Sequence, residues 1–255
     1  GQTHCDGSAA LWSLLDLKGE KLDREVNTQA VLRGFERLPS HLKDHLANRL
    51  VEVLLALGEK TTAQDLMSRV TRSQPEQSPE IELARAKMDI HDGRLESASS
   101  RLADLARNAS GVHSAQAVET LMELTAEQGS TAAADISELA SAYSVEYRGT
   151  DDGPGLWRAN LRALIGNGDF EAAFRELNSA SSGDPQIDSE ARTEAANALI
   201  RDSDDLTFMR IALSRSPENP LGLARTTLLA AAGRMLSLGL PESASQFLAK
   251  LAPDR

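Results

Sequence analysis

The strongest constraint on the fold is a glycine that returns at a regular interval, each time followed five residues later by an alanine. The five pairs are Gly58 and Ala63, Gly93 and Ala98, Gly129 and Ala134, Gly168 and Ala173, and Gly239 and Ala244. The glycines are 35, 36, 39 and 71 residues apart, and 71 is close to two periods. A degenerate copy is therefore expected near residue 204, with Asp204 and Met209 in the glycine and alanine places. A period of this length indicates a helical repeat.

Residues 154–185 show what one copy encodes. A first helix is predicted over about 156–165, because apolar residues recur there at helical spacing. This apolar stripe consists of Trp157, Leu161, Leu164 and Ile165. Gly168 suits the left-handed end of that helix, and Asp169 suits the N-cap of a second one. Gly183 and Pro185 stop the second helix, so the copy is a helical hairpin.

One hairpin of this length buries too little apolar surface to offset its chain entropy. Successive hairpins must therefore stack and form a continuous core. The alanine of each pair falls early in the second helix, where a small side chain lets neighbouring helices approach closely. All five alanines, Ala134 included, are predicted to lie at such contacts.

The central copy resembles the tetratricopeptide repeat, whose pattern is W-x2-L-G-x2-Y, then A-x3-F, then P. The matching residues are Trp157, Asn160, Leu161, Leu164, Ala173, Leu177 and Pro185. The second half of the first copy repeats the same offsets with Gly58, Ala63, Met67 and Pro75. The resemblance spans about residues 40–251, and it departs from the pattern at Arg85, Asp89, Thr125 and Glu138.

The resemblance implies an all-α fold, a right-handed superhelix of about six helical hairpins. Residues 1–38 are predicted to be N-terminal capping helices, and residues 39–251 the helical-repeat solenoid. A hinge is predicted at 149–155, where GTDDGPG holds three glycines and a proline.

In proteins similar to tetratricopeptide repeats, the first helices line a concave surface that binds peptides. The residues that the resemblance places there are Arg158, Arg162, Glu119, Glu123, His45, Asn48 and Glu52. Arg158 and Arg162 are candidates to bind an acidic peptide or a C-terminal carboxylate. Alternatively, they form ion pairs with Glu119 and Glu123 of the preceding copy, a solvated ladder. The predicted function is a non-enzymatic scaffold or adaptor that binds a protein or peptide.

Two alternatives stay open. One is a structural module, a self-associating part of a larger assembly such as one of the cell envelope, because the first helix of the last pair is apolar on most faces. Its candidate contact residues, which would form a homodimer, are Leu228, Leu229, Met235 and Leu236. The other is an accessory helical domain of an enzyme whose catalytic part lies outside this sequence.

Composition narrows the choice of partner and compartment. The net charge of −11 excludes nucleic acid as an expected partner, because phosphate binding needs a cationic surface. No membrane insertion is expected, since the most apolar run, 221–240, contains Arg225 and Arg234. The start at Gly1 fits a removed signal peptide or anchor, and equally an engineered start. Between compartments, we favour export to the periplasm over the cytoplasm.

Motifs for catalysis are lacking, so no enzyme activity and no cofactor are predicted. The sequence has no G-x-S-x-G elbow and no phosphate-binding glycine loop. His41 and His45 share a helix face, but no third ligand is evident and the residue after His41 is leucine, so no metal site is predicted. Cys5 is the single cysteine, which excludes an internal disulfide. The aspartates at 151–152 and 202–205 lack calcium-loop spacing, which favours turn and N-cap roles.

Overall fold

The protein is all α-helical in the part of the chain that the computed structural model describes, residue 11 and residues 28–73, 78–213 and 225–249. These residues contain thirteen helices and no strand. The helices are α1 Thr28–Glu36, α2 Ser40–Ala56, α3 Lys60–Ser73, α4 Pro79–His91, α5 Leu95–Asn108, α6 Val112–Glu127, α7 Ala134–Glu146, α8 Gly153–Gly166, α9 Phe170–Ser179, α10 Pro185–Asp202, α11 Asp205–Leu213, α12 Arg225–Ser237 and α13 Pro241–Ala249.

The five recurring glycines occupy the same local structure. Each follows the first helix of a pair and has a φ between 62° and 77°, a conformation that side chains with a Cβ rarely adopt. At each turn, the N–H of the residue after the glycine donates a hydrogen bond to the carbonyl oxygen of the residue five positions earlier, at 2.8 or 2.9 Å. At Gly168 this bond runs from Asp169 N to Leu164 O. This bond pattern is the Schellman motif, so the repeated glycines mark equivalent helix ends.

Four of the five alanines predicted at close helix contacts are buried, but the prediction for Ala134 is wrong. Ala63, Ala98 and Ala173 are 0% exposed and Ala244 is 1% exposed, and each is the fourth residue of its helix. Ala134 is exposed, because residues 130–133 are not helical and α7 begins only at Ala134. The fourth residue of α7 is Ser137, which is 8% exposed and takes the buried place.

We expect Ser137→Ala to stabilise the protein by about 0.5 to 1.5 kcal/mol, because Ser137 Oγ is buried and has no hydrogen-bond partner among the described residues. Ser141→Ala is the control, since Ser141 is exposed on the same helix and reports only the higher helix propensity of alanine. Chemical denaturation measures both variants. An equal gain in the two would show that the Ser137 hydroxyl carries no penalty.

The helix pair α10 and α11 matches the degenerate copy expected near residue 204, but the register differs from the prediction. Asp204 is not in the glycine place; its carboxylate accepts from Thr207 N at 2.9 Å, as the carboxylate of Asp169 accepts from Ala172 N at 3.0 Å. The residue equivalent to Ala173 is therefore Phe208, which is 1% exposed, and not the half-buried Met209. Asp204 is an N-cap here, in keeping with the predicted role of these aspartates.

Arg234 replaces the missing glycine turn at the end of α10. Its guanidinium donates to the carbonyl oxygens of Leu199, Ile200 and Ser203 at 2.7 to 2.8 Å. These carbonyls include groups at the end of a helix that have no partner within the helix. The guanidinium also lies 4.5 Å from the centre of the Phe208 ring. A side chain from α12 thus caps α10 in place of a local backbone turn.

The chain divides into two units, unit one from Gly1 to Ala117 and unit two from Val118 to Arg255. In unit one, α2 packs against α3 and α4, and α4 packs against α5. In unit two, α8 packs against α9 and α10, α10 packs against α12, and α12 packs against α13. First helices of neighbouring pairs are thus in contact within each unit, which is compatible with a helical repeat.

The predicted hinge and capping helices are only partly described. Residues 149–152 form a turn, and residues 153–155 are the first residues of α8, which begins three residues earlier than predicted. Pro154 in that first turn fits a helix start, where its missing N–H costs no hydrogen bond. Of the predicted capping helices, the stretch before residue 28, apart from Leu11, lies outside the described residues.

Among the described helices, none is both long enough and apolar enough to cross a membrane.

Candidate functional site

An open cavity of unit two runs along its first helices. It has a volume of about 1100 Å³ and lies between the C-terminal end of α6, helix α8 and helix α10. We name it the α8–α10 groove. Its walls carry charged, hydroxyl and amide side chains, among them Arg158, Arg162, Glu194, Thr193 and Asn197. The groove is polar and open, as a surface that binds an extended chain would be.

Both arginines of α8 are engaged by two glutamates of α10. Arg158 Nη1 lies 2.9 Å from Glu190 Oε2, and its Nη2 lies 3.2 Å from Glu194 Oε2. Arg162 Nε lies 2.8 Å from Glu194 Oε1. Arg162 is 14% exposed and Arg158 is 25% exposed, so these ion pairs are more shielded than typical surface pairs. The four side chains join α8 to α10 along one wall of the groove.

The two glutamates that were predicted to pair with these arginines, Glu119 and Glu123, differ from each other in their contacts. Glu123 Oε1 lies 3.9 Å from Arg162 Nη1, so this ion pair is present but long. The Glu119 carboxylate lies against the backbone of α8 at Gly155, where an added Cβ would collide with Glu119 Oε1. The main partners of the arginines thus belong to the following helix pair rather than the preceding one.

The other predicted peptide-binding residues lie in unit one. Glu52 of α2 lies 3.3 Å from Arg49 and 3.5 Å from Lys87 of α4. Asn48 is half-buried, and its Oδ1 accepts no hydrogen bond from the described residues. The side chains of His41 and His45 lie outside the described part of the structure. That the two histidines share a helix face therefore stays a prediction from the sequence. Whether any of these residues binds a peptide stays a prediction.

Glu190, a carboxylate of the groove, is ionised at neutral pH. A hydrogen bond from Gln186 and the charge of Arg158 hold the pKa of Glu190 below its ordinary value. A carboxyl group with a lowered pKa holds no proton to donate near pH 7. Glu190 therefore acts as a charge partner and hydrogen-bond acceptor.

A second group of charged residues lies in unit one, around a cavity of about 730 Å³ between α3, α4 and α5. Asp89 is 6% exposed, and its Oδ1 accepts from Arg94 Nε at 2.9 Å and Nη2 at 2.6 Å. Its Oδ2 accepts from Ser97 Oγ at 2.9 Å and lies 3.5 Å from Arg101 Nε. Asp92 lies 2.5 Å from Lys60 and 2.7 Å from Arg94. These charges are matched within the protein, which indicates a structural network.

Among the described residues, no group of three or more His, Cys, Asp or Glu side chains is placed to hold a metal ion.

The four residues predicted for self-association divide into two buried and two exposed. Leu228 and Met235 are 5% and 0% exposed and belong to the core of unit two. Leu229 and Leu236 are 48% and 54% exposed and lie about 100° around α12 from the buried pair. The exposed pair can contact a partner without unfolding, whereas the buried pair cannot.

The sequence prediction missed Glu190 and Glu194, although a signal for them exists. The two glutamates are four residues apart on one helix, and the two arginines are four residues apart on another. Glu119 and Glu123 have the same spacing, so spacing alone did not discriminate between the two acidic pairs. The difference arises from tertiary packing, which brings α10 alongside α8.

Comparison of this chain with protein-family models, with curated protein sequences and with solved structures finds no match. The structure itself defines the class: this is an all-α protein whose helix packing is compatible with a helical repeat.

Proposed function

We propose that this protein is a non-enzymatic scaffold of the tetratricopeptide type, in which about six helical hairpins form a right-handed superhelix that binds an extended polypeptide. The observation that carries the proposal is the α8–α10 groove, because successive first helices line it as they do in that repeat class. The equivalent glycine turns and the contacts between first helices support the stacked arrangement.

The polar groups of the groove indicate which chemical class of ligand it binds. Arg158 and Arg162 are held by glutamates, and Arg201 donates to Asp202 at 2.7 and 2.8 Å. An acidic ligand would have to break these pairs before it bound the arginines. The other polar groups of α10 in the groove are those of Ser189, Thr193 and Asn197. Thr193 Oγ1 donates to Ser189 O at 2.9 Å and can still accept from a ligand, and Asn197, whose Oδ1 accepts from Thr227 Oγ1, can donate its amide N–H groups. We therefore infer a polar, weakly charged segment in extended conformation as the ligand.

The experiment is selection from a displayed peptide library on the immobilised protein, followed by calorimetry with the selected peptides. Thr193→Trp places a large ring in the middle of the groove and should weaken binding by about tenfold or more, since it removes the space that the peptide fills. Ser141→Trp, on the exposed side of α7, is the matched control and should bind as the parent does. Peptides that bind both variants equally would refute the groove as the binding site.

A charge swap tests the class of ligand. The variant with Arg158→Glu, Arg162→Glu, Glu190→Arg and Glu194→Arg keeps the ion pairs between α8 and α10 and reverses their direction. A ligand held by hydroxyl and amide groups should bind this variant with little change. A strong loss of affinity in the folded variant would instead indicate an acidic peptide or a C-terminal carboxylate.

A further inference from the structure

The segment between the turn glycine and the second helix is longer before α7 than in the other pairs that have this glycine. Helices α3, α5, α9 and α13 begin two residues after their turn glycine, whereas α7 begins at Ala134, five residues after Gly129. Residues 130–133 therefore lie outside any helix. Two of them, Ser130 and Thr131, line the α8–α10 groove. The longer segment thus forms part of the wall of the groove.

A small cavity lies beside this segment, between α6, α7 and α8, and has a volume of about 20 Å³. Five residues line both this cavity and the groove: Ala126, Ser130, Thr131, Arg162 and Gly166. The small cavity therefore adjoins the groove. Ser137 of α7 lines it as well, and we name it the Ser137 pocket.

Ser137 places a polar group where the other copies have alanine. The fourth residue of the second helix is a buried alanine in four copies: Ala63, Ala98, Ala173 and Ala244. The Oγ of Ser137 is buried and has no hydrogen-bond partner within the described part of the protein, which costs stability. Thr125 and Ser130, which also line the pocket, donate to backbone carbonyl oxygens at 3.1 and 3.3 Å. A polar group that weakens the fold at an alanine position is typical of a functional site.

Arg162 supplies hydrogen-bond donors on another side of the pocket. Its Nε donates to Glu194 Oε1 at 2.8 Å, and its Nη1 lies 3.9 Å from Glu123 Oε1, beyond hydrogen-bond distance. A guanidinium has five N–H donors, so donors remain in addition to the bond with Glu194. A neutral acceptor in the pocket can therefore bind Arg162 while the ion pair between α8 and α10 stays intact.

We propose that the Ser137 pocket binds the side chain of a serine in the polypeptide that occupies the groove, an inference that rests on the function proposed above. A cavity needs roughly 10–15 Å³ to hold one water-sized group, so about 20 Å³ admits one hydroxyl group with its Cβ at the entrance. The seryl hydroxyl donates to Ser137 Oγ and accepts from Arg162. Alanine fits but offers no hydroxyl, whereas valine, carboxylate and phosphate groups are too large.

Calorimetry of the full chain with synthetic library peptides tests the pocket. The probes are selected peptides whose binding is lost in Thr193→Trp, each compared with versions in which one serine at a time is replaced by alanine or by valine. We expect one serine whose replacement by alanine weakens binding about fivefold or more, because a hydrogen bond in a buried site is lost. Valine at the same place should weaken binding about tenfold or more, because the pocket has no room for it.

Ser137→Ala identifies the partner of that serine. This variant is expected to be more stable than the parent, yet it should reduce the preference for the serine peptide over the alanine peptide to less than about twofold. A purely structural role of Ser137 would not change this preference. Ser141→Ala, at an exposed serine of the same helix, is the matched control and should keep the preference of the parent.

Two results would overturn the assignment of the pocket: groove-binding peptides that share no serine, or a serine preference that Ser137→Ala leaves unchanged. In both cases peptides still bind in the groove, so the proposed function stands without the pocket. If no library peptide loses binding on Thr193→Trp, the proposed function itself fails, and the assignment of the pocket fails with it.

Discussion

Replacing Arg234 by methionine is expected to lower the free energy of unfolding by about 2 to 4 kcal/mol. Arg234 is 14% exposed and donates hydrogen bonds to the carbonyl oxygens of Leu199, Ile200 and Ser203. Methionine fills part of the same volume but has no donor. Carbonyl groups at the end of α10 then lose their charged partner in a site with little access to water.

The size of the effect comes from the carbonyl contacts rather than from the ion pair. Arg234 also lies 3.0 Å from Asp205, but Asp205 is 65% exposed, so solvent screens this pair and it contributes little. Arg234→Lys keeps the charge and lacks the planar group that reaches several oxygens at once. We therefore expect lysine to restore only a minor part of the lost stability.

Arg201→Met is the matched control for Arg234→Met. Arg201 is an arginine of the same region, 73% exposed, whose guanidinium donates to the neighbouring Asp202. Its replacement should change the free energy of unfolding by no more than about 0.5 kcal/mol. Urea denaturation followed by circular dichroism measures both variants. Equal losses would show that capping of α10 by Arg234 does not stabilise the fold.

Local signals in the sequence predicted the helix ends well. Glycine in a left-handed turn and aspartate at an N-cap act on backbone groups within a few residues, so Gly168 and Asp169 suffice to predict the end of α8 and the start of α9. The structure confirms both, with a φ of 77° at Gly168 and a 3.0 Å bond from Ala172 N to Asp169 Oδ1. The all-α class follows from the same repeated signals.

Features that depend on distant residues were not predicted. Ala134 was assigned to the buried place because the count from Gly129 was assumed constant, but the late start of α7 moves that place to Ser137. The capping of α10 involves Arg234, about thirty residues away, and sequence spacing alone gives no reason to connect them. The groove residues Glu190 and Glu194 were missed for the same reason, since helix packing selects them as partners of Arg158 and Arg162.

Asp89→Ala is expected to destabilise the protein by about 2 to 3 kcal/mol at pH 7, because it removes a buried acceptor that several donors share. Asp89 is 6% exposed and accepts from Arg94 and Ser97. Arg94 is 55% exposed and regains water in the variant, which keeps the loss below that of a fully buried ion pair. Asp104→Ala, at an exposed aspartate of α5, is the control and should have little effect.

The loss caused by Asp89→Ala should also depend on pH. Burial alone would raise the pKa of Asp89, but hydrogen bonds from Arg94 and Ser97 outweigh burial and hold this pKa below its ordinary value. A carboxyl group whose pKa falls on folding contributes stability that is present above its unfolded pKa and is lost as the pH falls through the folded value. The difference in stability between parent and Asp89→Ala should thus be constant from pH 7 to about pH 5 and shrink below about pH 4. Thermal unfolding across this range measures the difference, and a gap that widens towards acid pH would mean that Asp89 is held protonated rather than ionised.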